Sequence, residues 1–184
     1  MIETQRLILR QWQEKDKQHY AEINTDTEVM RYFPDIMTLT ESDVQIEVMQ
    51  AKIEKNGWGY WAVELKQTNE LIGKVGLNPV ELHSDIPETP FVEMGWRLAK
   101  KHWRQGYAYE AATACLDYAF NILELNSVYA CTALTNIPSQ QLMKKLGMHN
   151  INQDFNNPKM KAGHTLSRYC LYKIEREHYL KSNK

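Results

Sequence analysis

The stretch "KKHWRQGYAYEAA", Lys100 to Ala112, decides how the chain is read. It is basic and aromatic, turns at Gly106, and enters a helix-forming run at once. Upstream, "FVEMGWRLA" (91–99) reads as a strand. Downstream, Ala111, Ala112, Cys115, Ala119 and Leu123 supply the apolar side of a helix over 107–123. A strand that passes through a tight glycine turn straight into a helix aims unpaired backbone N–H groups at one point, where the helix dipole adds partial positive charge. Such a turn is an anion cradle. Gly106 permits close approach or positive φ, Ala108 is small, and Lys100, Lys101 and Arg104 add charge. Taken alone, the stretch is more readily read as an ordinary strand-to-helix turn with solvated basic residues. The patterns G-x-x-x-x-G-K-[ST] and G-x-G-x-x-G are both absent.

Outward from this turn the order is mixed. Strands are predicted at 6–12, 60–65, 71–80, 91–99, 127–134 and 166–174. A short helix is predicted in "QEKDKQHYAEIN" (13–24), capped between Gln13 and Asp16. A longer one starts at Thr40, with Thr40 or Ser42 as N-cap and Val44, Val48 and Ala51 on its apolar side. The segment around "RYFPD" (31–35) is irregular and rich in aromatics. Residues 81–90 form an acidic, proline-bearing loop. "PSQQLMKKLG" (138–147) is a short helix, with Pro138 in its first turn and Gly147 as its stop. Hairpins early and strand–helix–strand–helix late predict one α/β domain over residues 1–184 with a mixed sheet.

Composition narrows the function. The chain has 184 residues and a net charge of -1, which disfavours generic nucleic-acid and membrane binding but allows a local anion site. No run suits a membrane helix or a signal peptide. Cys115, Cys131 and Cys170 are odd in number and lack paired spacing, so buried free thiols in a reducing cytoplasm are expected. No metal-ligand spacing and no G-x-S-x-G occur.

Four segments in order, "ETQRLILR" (3–10), "LIGKVGL" (71–77), "VEMGWRLAKKHWRQGYAYEA" (92–111) and "NIPSQQLMKKLGM" (136–148), resemble the GNAT superfamily of acetyl-CoA-dependent N-acetyltransferases, and more narrowly its RimJ/RimL-like branch of ribosomal-protein N-terminal acetyltransferases. The resemblance implies a mostly antiparallel central sheet of about seven strands flanked by helices, splayed between its two central parallel strands. It implies acetyl-CoA as co-substrate and no metal. The family's loop pattern [RQ]-x-x-G-x-[GA] falls on Trp103 to Ala108. Backbone amides of Arg104, Gln105, Gly106, Tyr107 and Ala108 would then hold the pyrophosphate. The backbone of Leu98 and the side chain of Asn136 would hold the pantetheine arm, with Ser139 near the thioester sulfur. The sequence departs from the pattern at Trp103, where relatives carry Arg or Gln, and at Met143, where many carry a tyrosine acid.

Acetyl transfer to an amine needs a neutral amine, a polarised thioester, two reactants held together and an accommodated thiolate. Ser139 is the side-chain candidate for the acid, and Glu93 for the base or the water-orienting group. Asp154, His164 and bulk water remain alternatives as base. Tyr32, Phe33, Trp58, Tyr60 and Trp61 are candidates for the acceptor cleft or for the core, and the acidic loop 81–90 for attracting a cationic acceptor. The expected acceptor is a protein N-terminus or a small-molecule amine. A non-catalytic acyl-CoA-binding or sensor domain is the rival reading. Monomer and homodimer both stay open.

Overall fold

The structure is a computed structural model and describes every residue except Ser84, Lys159, Ala162, Asn183 and Lys184. Ser84 belongs to the acidic loop and lies outside the described residues. In chain order the elements are β1 (Ile2–Glu3), β2 (Leu7–Arg10), α1 (Asp16–Thr25), α2 (Thr27–Met30), α3 (Leu39–Asn56), β3 (Tyr60–Leu65), β4 (Leu71–Val80), β5 (Phe91–Leu98), a 3-10 turn (Lys100–His102), α4 (Tyr107–Asn121), β6 (Ser127–Ala133), α5 (Ile137–Lys145), β7 (His149–Asn150), β8 (Phe155–Asn156), β9 (Arg168–Glu175) and α6 (Arg176–Ser182). The chain divides into two compact units, residues 1–77 with 95–115, and 78–94 with 116–184.

In the first unit β1, β2, β3 and β4 pair antiparallel in succession, with Leu9 opposite Val63 and Trp61 opposite Val75. Trp12, Tyr20, Ile23, Val29, Ile46, Met49, Ala62 and Leu71 form its core. Each of the large aliphatic side chains among them contributes about 2 kcal/mol over an exposed one. A buried ion cluster joins the elements. Arg10 donates to Asp16 at 2.7 and 2.9 Å and to Glu64 at 2.6 Å.

In the second unit β5 meets β6 in parallel, with Glu93 opposite Tyr129. β6 then runs antiparallel with β9 along its whole length, and β7 and β8 pair with the other edge of β9. The apolar cluster here is Tyr129, Ala133, Phe155, Met160, Tyr169 and Leu171. All three cysteines are free thiols. Burial pushes the Cys115 and Cys170 thiols up, so both stay protonated.

The mixed, mostly antiparallel α/β architecture agrees with the sequence expectation, with nine strands among the described residues rather than about seven. β1, β7 and β8 have two residues each, too short to show any period. The α3 expectation needs two corrections. Its N-cap is Thr38, which with Glu41 makes a complete capping box; Thr40 and Ser42 lie inside the helix. Ser42 is instead buried, accepting from Asn24 Nδ2 at 2.8 Å. The core-facing residues are Ile46, Met49 and Ile53, whereas Val44 and Val48 are about half exposed. Two interleaved apolar series share this helix, and α1 and β3 select the one with the bulkier side chains. The short helices α2, capped by the Asp26 carboxylate, and α6 are absent from the sequence reading.

Candidate functional site

The turn between β5 and α4 lies within the first unit. The 3-10 turn at Lys100–His102 is closed by Trp103 N–H donating to the Lys100 carbonyl at 3.1 Å. Arg104 then takes φ +59° and Gly106 φ +83°. For Arg104 the left-handed region costs about 1–2 kcal/mol, and strain of this kind collects where a loop must present its backbone. Tyr107 opens α4, and Glu110 N–H returns to the Gly106 carbonyl at 3.0 Å. Among the described residues no acceptor takes the amides of Arg104, Gln105, Gly106, Tyr107 or Ala108. Arg104, Gln105 and Gly106 are exposed. Five free donors therefore front a helix N-terminus, a donor set suited to a phosphate or pyrophosphate.

Two residues far apart in sequence brace this loop. Arg6 donates to the Gln105 carbonyl at 2.9 Å and to Glu110 at 2.6 Å, and its guanidinium lies 4.4 Å from the Tyr107 ring centre. A Cβ on Gly106 would come within 3.2 Å of Arg6 Nη2. Glu110 also accepts from the Thr4 hydroxyl at 2.6 Å and the Arg6 amide at 2.8 Å. Burial pushes the Glu110 carboxyl up, but these bonds outweigh it and hold it below the usual carboxylate range. The sequence signals for this brace are Arg6 inside an apolar strand and Glu110 in the first turn of a helix; neither identifies the other.

Trp103 has a definite task. Its indole Nε1 donates to the Leu98 carbonyl at 2.8 Å, tying the loop back to the end of β5. The Ala99 amide, next in the chain, donates to Ile72 of β4 at 2.9 Å. The side chain at this loop position is thus spent on loop geometry.

In the second unit, α5 begins at Asn136. Its Oδ1 accepts from Ser139 N–H at 3.3 Å and its Nδ2 donates to Thr132 Oγ1 at 2.8 Å. Asn136 is therefore an N-cap, and one Nδ2 hydrogen and one Oδ1 lone pair are left for other bonds. Ser139 is half-buried, while Met143 is 1% exposed and belongs to the core. Glu93 Oε1 accepts from the Cys131 thiol at 3.2 Å, so the structure places Glu93 and Cys131 together. His164 Nδ1 accepts from Leu166 N–H at 3.1 Å within its own turn. Asp154 lines a cavity of about 720 Å3 with Phe155, Met160 and Ser167. Among the described residues no cluster of three or more His, Cys, Asp or Glu side chains could hold a metal ion, and no helix is long and apolar enough to cross a membrane.

Of the candidate aromatics, Trp61 is core, at 2% exposed. Tyr60, Phe33 and Tyr32 sit beside cations: Lys74 Nζ lies 4.5 Å from the Tyr60 ring centre, Arg97 4.1 Å from that of Phe33, and Arg31 4.8 Å from that of Tyr32. Arg97 was not singled out by sequence, because a charge in a half-buried strand gives no sign of which side it faces.

Residues 6–149 match the acetyltransferase (GNAT) domain family. The uncharacterized N-acetyltransferase YnaD of Bacillus subtilis is 34% identical over 150 residues, covering 80% of this chain and 81% of the relative. The crystal structure of a GNAT-family acetyltransferase from Bacillus anthracis superposes with a TM-score of 0.78 at 26% identity, covering 96% of this chain and 98% of that one. Spermidine N-acetyltransferase from Vibrio cholerae, solved in complex with CoA and spermine, shares the fold with a TM-score of 0.73 at 22% identity, covering 96% and 99%.

Proposed function

This chain belongs to the acetyltransferase (GNAT) domain family, and on that premise we propose that it transfers acetyl directly from acetyl-CoA to a primary amine, in a ternary complex and without an acyl-enzyme. The observation that carries this reading is the run of unpaired amides from Arg104 to Ala108 at the start of α4. A doubly charged pyrophosphate satisfies those donors and meets the helix dipole.

The remaining roles are assigned from the family resemblance. The Leu98 backbone holds the pantetheine arm, and a backbone N–H beside it polarises the thioester carbonyl. The resemblance assigns Asn136 to that arm as well, and its Nδ2 keeps one hydrogen for another bond. Glu93, an acceptor for the Cys131 thiol, is the carboxylate assigned to draw a proton from the amine, directly or through water. Ser139 is the proton donor to the leaving thiolate, since Met143 is apolar and buried. No cysteine is needed as a nucleophile, and protonated Cys115 and Cys170 are poor ones.

The branch assignment, RimJ/RimL-like, rests on the four ordered segments 3–10, 71–77, 92–111 and 136–148. It brings the α-amine of a protein or a small-molecule amine into range as acceptor and a cytoplasmic setting. The test is release of the CoA thiol from acetyl-CoA across N-terminal peptides, polyamines, aminoglycosides and amino acids. Turnover with a free amine supports the reading, and binding without turnover on every amine supports the sensor reading.

A further inference from the structure

The first unit buries two arginines and treats them differently. Arg10 is enclosed by the carboxylates of Asp16 and Glu64. Arg97, on β5 next to Leu98, is 7% exposed, and among the described residues no carboxylate lies within ion-pair distance of it. Its Nη1 donates to Asn24 Oδ1 at 2.5 Å and lies 3.8 Å from Met37 Sδ; its plane covers the Phe33 ring at 4.1 Å. Its Nε is shut off from solvent with no acceptor. Removing a guanidinium from water costs several kcal/mol unless an anion faces it. Burial accordingly pulls the Arg97 pKa down. The phenol of Tyr20 stands beside it, and burial pushes that phenol up to about 12.

A second cation stands at the same place. Lys74 Nζ sits over the Tyr60 ring and 3.5 Å from Gln45 Oε1. Gly95, two residues before Arg97 on the same face of β5, makes room for Tyr60: a Cβ there would lie 2.7 Å from the phenol oxygen. Phe33, Met37, Gln45, Tyr60 and Lys74 are all half-buried, so the cluster reaches solvent through its rim with Arg97 at its base. Arg97 is thus a buried guanidinium with aromatic and neutral neighbours, and what it lacks among the described residues is an anion.

We propose that the acceptor amine carries a carboxylate, which pairs with Arg97 and is further attracted by Lys74. This rests on the acetyltransferase reading above and narrows it: the substrate is an amino-carboxylate, and a polyamine meets two like charges here. A guanidinium takes a carboxylate through two parallel N–H···O bonds, which fixes orientation as well as affinity. The two sources of that chemistry are a free amino acid and a peptide with an acidic residue near its N-terminus.

The test compares amino acids, N-terminal peptides with and without an acidic side chain, the neutral amide of each, and polyamines. Thiol release is measured with wild type, Arg97→Met, Arg97→Lys and Lys74→Gln. Wild type is expected to favour each acid over its amide by about tenfold or more in kcat/KM. Lys74→Gln weakens that preference, Arg97→Lys keeps part of it, and Arg97→Met removes it, with acetyl-CoA affinity by calorimetry unchanged in all. Free amino acids outperforming peptides names the small molecule, and the reverse names the peptide. If Arg97→Met does not fold, Lys74→Gln and the acid–amide pairs on wild type carry the test. If no amine in the set turns over, thermal shift decides: N-acetyl amino acids should raise the melting temperature of wild type more than their amides do. Equal handling of acid and amide, or a preference for polyamines, overturns the proposal while leaving the acetyltransferase reading intact. Failure to bind acetyl-CoA at all overturns that reading instead.

Discussion

The indole Nε1 of Trp103 donates to the carbonyl oxygen of Leu98 at 2.8 Å, so the loop that fronts α4 is pinned to the strand end that feeds it. With the proposed role of the loop amides in holding acetyl-CoA, the shape of the backbone sets the affinity. Trp103→Phe keeps the ring and removes the donor, a loss of about 1 kcal/mol. The KM for acetyl-CoA should rise about fivefold with little change in kcat, read by steady-state thiol release.

Gly106 combines a positive φ with the Arg6 guanidinium close behind it. Gly106→Ala adds strain of about 1–2 kcal/mol and displaces Arg6. Calorimetry should show acetyl-CoA affinity reduced about tenfold, and Arg6→Gln should weaken it in the same direction by loosening the Gln105 carbonyl.

The Glu110 carboxylate is held below its ordinary pKa in the folded protein, against the opposing effect of burial. Its contribution to stability is therefore complete above the unfolded-state pKa of about 4.3 and is lost as pH falls through the lower folded value. In urea unfolding, the gap between wild type and Glu110→Gln should be constant from pH 7 to about 5 and close below about 4.

Arg10 holds Asp16 and Glu64 in the core of the first unit. Arg10→Ala leaves two buried carboxylates facing each other and should destabilise the protein by about 3–5 kcal/mol in chemical denaturation.

The proton-transfer roles separate kinetically. With Glu93 as base, Glu93→Gln should lower kcat about a hundredfold and erase the acidic limb of the pH profile, with acetyl-CoA KM held. With water as base, the profile is unchanged. Ser139→Ala should lower kcat only if the hydroxyl protonates the thiolate; wild-type turnover removes Ser139 from the mechanism.

What the sequence made legible was local. Gly106 followed at once by a helix-forming run marks the loop, Pro138 marks the first turn of α5, and both sit where the residues alone put them. What it hid was tertiary. The brace between Arg6 and Glu110 spans 104 residues and leaves no periodic trace. The α3 face was misread because Val44 and Val48 repeat as regularly as Ile46, Met49 and Ile53, and only packing against α1 and β3 chooses between them. Arg97 looks like any strand charge until its missing counter-ion is seen. Trp103 was visible only as a departure from the loop pattern, and its bond to Leu98 supplies the reason.

The central claim is that the amides from Arg104 to Ala108 hold acetyl-CoA for transfer to an amine. Its most direct measurement is calorimetric titration with acetyl-CoA and with acetyl-pantetheine, which lacks the pyrophosphate, followed by thiol release with the amine panel. The account predicts that acetyl-CoA binds much more tightly than acetyl-pantetheine, that Gly106→Ala narrows the difference, and that an amine releases the thiol with matching acetylation. Equal binding of the two thioesters, or no binding of either, would contradict it.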